Sequence, residues 1–167
     1  MCAALRVCYM MTAVDLPGIL LLASNPIGDA LNSSDLAFPI LECFHIAGFA
    51  LSIGTIAILD LRMLGLGMRN QTPAQIASDI APWTLAGLGV MLISGPLIFL
   101  SDTAMYMRNP SFQFKIACLL VAIVFHYTIH RKVAMANSTS AVSKLVGGIS
   151  LLLWVGVVAG GLFIAFY

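Results

Sequence analysis

The chain has 167 residues, of which 60% are hydrophobic and only 9% charged, eight Lys and Arg against seven Asp and Glu, for a net charge of +1. A soluble domain carries closer to ~25% charged residues to cover its surface, so these numbers exclude a water-soluble globule and make the lipid bilayer the expected partner. No basic cluster interrupts the apolar runs, which excludes a nucleic-acid partner and a polybasic lipid-binding patch.

In chain order, residues 1–37 form an N-terminal segment. Its apolar stretch Gly18 to Ala23 is too short to span a membrane, bracketed as it is by Asp15-Leu16-Pro17 and Asn25-Pro26. A cleaved signal peptide fits poorly, because Asp15 cuts the apolar region and Arg6 is the whole basic region. The reading is an interfacial amphipathic helix from about Leu16 to Leu36, polar at Asp29, Asn32 and Asp35. The true start is Met1, Met10 or Met11.

Residues 38–167 hold four stretches long enough to cross ~30 Å of hydrocarbon. The first, 38–59, opens at Pro39, contains Glu42 and His45, and ends at Asp60-Leu61-Arg62. The second, 82–100, has no ionisable residue; Pro82 suits the first turn of a helix, Trp83 an interface, and Pro96 predicts a kink. The third, 112–130, contains Lys115 and His126 and stops at Arg131-Lys132; the fourth, 145–167, is uncharged. Short connections make the fold class all-α, an integral membrane four-helix bundle. Arg62, Arg69, Arg131, Lys132 and Lys144 fall on one side against Arg6, Arg108 and Lys115 on the other. This bias puts the first group in the cytoplasm of a bacterial inner membrane and both termini in the periplasm.

Ionisable groups inside a membrane are costly and mark function by default. Glu42 and His45 lie three apart on one helix face, which Gly48 and Ser52 continue. Small residues beside a histidine leave room for a flat macrocycle or for a close helix. Glu42 is placed to hold the second ring nitrogen of His45, or to neutralise Lys115. Lys115 and His126, eleven apart, also share a face. At 1.5 Å per residue, His45 lies about 10 Å, Lys115 about 5 Å and His126 about 21 Å below the outer ends of their spans. His45 and Lys115 can therefore meet at one iron or one substrate, whereas a His45 and His126 pair needs helices offset by about two turns. His126 alternatively bonds a backbone carbonyl, and His130 reads as an interfacial residue at the span's end.

The four cysteines, Cys2, Cys8, Cys43 and Cys118, form no C-x-x-C pair. Cys43 and Cys118 read as small hydrophobes, and without C-x-x-C-H any haem is b-type. Glu42-Cys43-Phe44-His45 matches half of a di-iron motif, but the second copy is missing. Phosphate loops, a catalytic serine beside a base, and the charged rings or repeats of channels and transporters are missing too.

Phe44-His45-Ile46-Ala47-Gly48, Asp60-Leu61-Arg62-Met63-Leu64-Gly65, Ser94-Gly95-Pro96 with Phe99, Asn109-Pro110-Ser111-Phe112-Gln113-Phe114-Lys115 and Trp154 to Gly160 together resemble an uncharacterised bacterial family of four-span membrane proteins. That family is remotely similar to the HemJ-type protoporphyrinogen oxidases, four-span proteins thought to bind b-type haem. Their first-span histidine and third-span lysine fall on His45 and Lys115. Their third-span histidine falls on Gln113, and their Leu-Pro-Arg motif on Asp60-Leu61-Arg62. The resemblance implies haem b with His45 as axial metal ligand and Lys115 as second ligand or as a propionate or substrate contact. Glu42, Gly48 and His126 complete the candidate cofactor residues, and the implied role is electron transfer or oxidation of a porphyrinogen or quinol. The competing reading is a cofactor-free accessory subunit, docked on a membrane-protein partner or a second copy through Gly156-x-x-x-Gly160.

Overall fold

The computed structural model describes residues 25–68, 70–136 and 140–166, and every regular element among them is helical. Helix α1 spans Pro26–Asn32, α2 Ala37–Leu64, α3 Pro73–Ser101, α4 Thr103–Arg108, α5 Pro110–Met135 and α6 Ala141–Phe163, followed by a 3-10 turn at Ile164–Phe166. Four of these, α2, α3, α5 and α6, are long and apolar enough to cross a membrane. The protein is thus a multi-pass membrane protein, and its helices run up, down, up and down.

The second and third spans outrun their apolar stretches because polar residues at their N-termini satisfy the orphan backbone groups of a helix terminus. The second span shows this best. Its first turn is not at Pro82 but at Pro73, where Thr72 caps the helix and exchanges bonds with Gln75, a capping box followed by a proline whose missing N–H costs nothing there. Pro82 and Pro96 both lie inside the helix. Pro110 sits at the start of α5 in the same way, behind Asn109, whose side chain accepts from the backbone N–H groups of Ser111 and Phe112. At the end of α2, Gly65 takes a left-handed φ of 85°, and its own N–H and that of Leu66 close on Arg62 and Leu61, a turn that glycine adopts without strain.

Within lipid, association of helices rests on close packing, since hydrocarbon is as apolar as leucine. Sequence neighbours pair, α2 with α3 and α5 with α6, and α2 also packs on α6. Where α2 crosses α3, a Cβ on Gly87 would come within 2.7 Å of the Gly48 carbonyl and the Ser52 nitrogen, and one on Gly48 within 2.9 Å of Val90. Thr55 and Thr84 bond across the same seam at 2.8 Å. Mid-membrane, Ile56, Ala122, Trp154 and Val157 form a core; a second, of Leu59, Met63, Ile76, Ala134 and Val146, closes the end that carries Arg62, Arg131, Lys132 and Lys144. Phe44, Trp83, Ile93, Leu120, Val124 and Leu152 are exposed on the outside of the bundle, as lipid contact requires.

Two expectations change. The interfacial helix expected over Leu16 to Leu36 lies outside the described residues up to position 24. Its described part is the short α1, pinned to the end of α3 by Asn25 Nδ2 donating to the Leu100 carbonyl (3.0 Å) and Asn32 Nδ2 to Ser101 (2.9 Å). The Gly156-x-x-x-Gly160 face is not a free docking surface. Within the same chain Gly156 lies against Cys118, and a Cβ on Gly160 would stand 2.9 Å from Lys115 Cβ.

Gly87→Ala should cost about 1–3 kcal/mol, the usual range for overpacking, because its neighbours are backbone atoms that cannot swing away. Gly89→Ala, where nothing stands within 4 Å, should leave stability unchanged or slightly raised. Paired thermal melts in one detergent check the contrast.

Candidate functional site

Two polar clusters interrupt the apolar bundle, one near each end. At the far end from the basic residues, His45 on α2 is half-buried against α3. Its Nδ1 lies 2.8 Å from Ser94 Oγ, which in turn donates to the Val90 carbonyl at 2.6 Å. Ser94 Oγ thus sits between the Val90 carbonyl and the His45 ring, and in the tautomer where it donates to Val90 and accepts from Nδ1, the ring's lone pair is on Nε2. The Met91 carbonyl is a further acceptor beside the ring. Gly95 lies next to Cε1, where an added Cβ would only touch at 3.4 Å, so no side chain covers the ring at that point.

Lys115 is on the second turn of α5, its stem laid along Gly160 and Gly161 of α6, and its ammonium is close enough to act on His45 electrostatically. Glu42 is exposed and makes no ion pair with Lys115, the one salt bridge among the described residues lying elsewhere. The expected contact from Glu42 to the second nitrogen of His45 is replaced by Ser94, one helix away rather than one turn above. Glu42 instead faces Tyr106, whose phenol is pushed up from its usual range by burial first, then by Glu42 and Asp102. Tyr106 belongs to an aromatic platform with Phe112 (ring centroids 5.2 Å apart) and Phe99, which stacks on Phe112 at 5.6 Å.

Gly48 takes the close-helix option: Gly87 and Val90 fill the space beside it, which leaves none for a macrocycle. His126 does not join His45. It borders Thr84 and Ala81 on α3, ten or more residues before Ser94, a separation of about 15 Å along the helix.

His126 belongs to the second cluster, which the sequence reading missed. His130, expected at the interface, is fully buried, and so is Asp60; His130 Nε2 and Asp60 Oδ1 are 2.6 Å apart. The Ser150 hydroxyl faces the same carboxylate from α6, though Asp60 Oδ2 and Ser150 Oγ complete no bond of good geometry. His126 stacks on His130 with centroids 4.9 Å apart and planes at 28°. The backbone changes here too: residues His126–His130 wind as a π-helix, with the Arg131 N–H reaching back to the His126 carbonyl, a widening that recurs at functional sites. A four-residue histidine spacing facing Asp60 was the available signal. The adjoining Arg62, Arg131 and Lys132 masked it by marking both residues as span ends.

Among the described residues no three His, Cys, Asp or Glu side chains converge as a bare metal ion needs. Haem asks for less from the chain: one imidazole with a free lone pair, an apolar or aromatic wall, and a cation for its carboxylates. His45, the Phe99, Tyr106 and Phe112 platform and Lys115 fit that set.

Residues 35–167, which take in all four spans, match a family of unknown function, DUF6644. The chain belongs to that family. This agrees with the resemblance to an uncharacterised four-span family and carries no link to the HemJ-type oxidases. Neither comparison, with curated proteins or with solved structures, gave a match.

Asp60→Leu should destabilise the bundle by about 3–5 kcal/mol, because it strands a buried polar partner, and the Asp60→Leu, His130→Leu double variant should recover most of that loss. Unfolding in mixed micelles at a fixed detergent ratio measures both.

Proposed function

We propose that this protein is a redox protein of the bacterial inner membrane that takes one b-type haem on His45. The single observation behind this reading is the seating of His45, whose Nδ1 is held 2.8 Å from Ser94 Oγ; in the tautomer with Ser94 accepting, Nε2 would have the lone pair that an iron ligand needs. A bound haem would supply one-electron chemistry, its potential tuned by the axial ligand and by burial.

The chain's own residues have separable tasks. Ser94 holds the imidazole in place, and Phe99, Tyr106 and Phe112 keep water from that end of the site. Lys115 would offer a positive charge in a setting of low dielectric, suited to a propionate or to the carboxylate of a substrate, or, as the neutral amine, a lone pair for the iron as second ligand. The resemblance to HemJ-type oxidases suggests a porphyrinogen or quinol as electron donor. The excess of Lys and Arg beside Asp60 and His130 supports a cytoplasmic position for that end, which puts His45 and both termini toward the periplasm.

Protein purified from cells supplied with a haem precursor should show a Soret band. His45→Ala should abolish it, Ser94→Ala should weaken haem retention, and Lys115→Met should keep the band but alter the midpoint potential. A colourless wild-type preparation that brings down stoichiometric membrane partners would overturn this reading in favour of an accessory subunit.

A further inference from the structure

The cluster at the basic end plays no part in the redox reading and has features of its own. A cavity of about 20 Å³ opens beside His126, lined by Thr84, Ala81, Tyr127 and Arg131 among others. A single water needs about 10–15 Å³ measured this way and two to four polar partners. Polar residues line the cavity: His126, Tyr127 and Thr84 all border it, His126 Nδ1 and Tyr127 Oη are buried without a hydrogen bond, and Thr84 Oγ1, bonded to Ile80 and Thr55, keeps one lone pair. His126 is only 9% exposed, so its bare ring nitrogen is a real cost unless water meets it.

We propose that His126, His130 and Asp60 form a proton-exchanging site, reached from the basic end through one internal water beside His126. The charge balance sets its capacity. The groups facing it are Asp60 from α2, the hydroxyl of Thr84 from α3, Tyr127 and the Arg131 cation from α5 itself, and the hydroxyls of Ser143 and Ser150 from α6. That is one carboxylate for two stacked imidazoles. Two imidazolium rings 4.9 Å apart repel each other and Arg131 as well, so the cluster holds a single positive ring at a time.

Uptake is a simple transfer. The internal water gives a proton to the unprotonated ring nitrogen of His126, forming one imidazolium, and its oxygen recovers a proton from the aqueous side past Arg131. Release reverses both steps, with no redox change and no co-reactant. His130 keeps its bond to Asp60 in either state, and the charge on Asp60 compensates whichever ring is positive. This inference does not depend on haem at His45.

The test is nitrogen NMR of protein labelled at histidine, in nanodiscs, from about pH 5 to about pH 9, the range in which imidazoles ordinarily titrate. The expected result is that the ring signals of His126 and His130 move together through one transition worth one proton, and that His126 shows contact with a bound water. Asp60→Asn should lower that transition by about one pH unit or more, since it removes the compensating charge. Ala81→Leu fills the cavity without touching either histidine bond, and should slow exchange of the His126 ring proton with solvent by about tenfold or more while the rest of the spectrum stays in place. Rings that hold one charge state throughout, a two-proton transition, or exchange as fast in Ala81→Leu as in the wild type would each overturn the proposal. Because Ala81→Leu leaves the Asp60 pair intact, a failure of Asp60→Asn to fold does not remove the test.

Discussion

A carboxylate and an imidazole that share a 2.6 Å contact with no solvent access set the terms for half of this bundle. Neither group tolerates the membrane interior alone, so α2 and α5 must meet at Asp60 and His130, and everything around them must be small enough to allow it. Ala134, one turn past His130, is fully buried. Gly147 lies so close to Asp60 that a Cβ would stand 3.1 Å from its carbonyl oxygen. Ser143, Val146, Gly147, Ser150, Trp154, Val157 and Gly160 form the buried stripe of α6, with small residues beside the pair, large ones at mid-membrane, and a glycine again where Lys115 packs. Such a pair adds little net stability over an apolar isostere, but it leaves the helices one register, and register is what small-residue packing by itself defines weakly.

The far end is built on the opposite plan. There His45 meets a hydroxyl rather than a charge, and the helices that carry His45 and Lys115, α2 and α5, are held apart by their own partners: α2 by the Gly48 and Gly87 crossing, α5 by Gly156 and Gly160. Each tight pair is closed by glycines, so the space between the pairs is left to side chains. Trp154 and Ile56 fill it at mid-membrane. Beyond them stand His45, Lys115 and the Phe99, Tyr106 and Phe112 rings. Pro96, two residues past Ser94, has no N–H to return to Leu92, which loosens α3 where the histidine docks.

The four spans were legible because hydrocarbon thickness is a blunt filter: about twenty apolar residues pass it and little else does. Helix geometry put Glu42 on a face with His45 and Lys115 on a face with His126, but the structure seats Lys115 against α6 and His126 against α3. Partners across helices were not legible. Spacing within one helix could not show that Ser94, rather than Glu42, would hold the ring of His45, or that Gly156 and Gly160 would face Cys118 and Lys115 of the same chain. Asp60 and His130 were misplaced for a more general reason. These two spans were ended where charges cluster, at Asp60-Leu61-Arg62 and Arg131-Lys132, whereas the helices run on for more than a turn, to Leu64 and Met135, and Asp60 and His130 are the polar residues there that turn inward. The same rule put the start of the second span at Pro82 when Thr72 and Gln75 begin it nine residues earlier.

The two histidine sites differ in the one property that decides what an imidazole can do. At His45 the neighbour is a hydroxyl 2.8 Å from Nδ1, which bonds a neutral ring and offers no charge to balance a second proton. That suits a ligand, which needs one nitrogen with its lone pair. At His130 the neighbour is a carboxylate, which accepts a bond from the ring facing it and balances a positive charge nearby; His126, stacked behind, lines a water-sized space. That combination suits a group whose charge changes. Exchanging the partners would undo both: a carboxylate at His45 would favour imidazolium over a free lone pair, and a serine in place of Asp60 would leave a positive ring in hydrocarbon with nothing to balance it. In the proposed reading, the division of labour between the two ends of the bundle follows from which group faces each ring rather than from the histidines themselves.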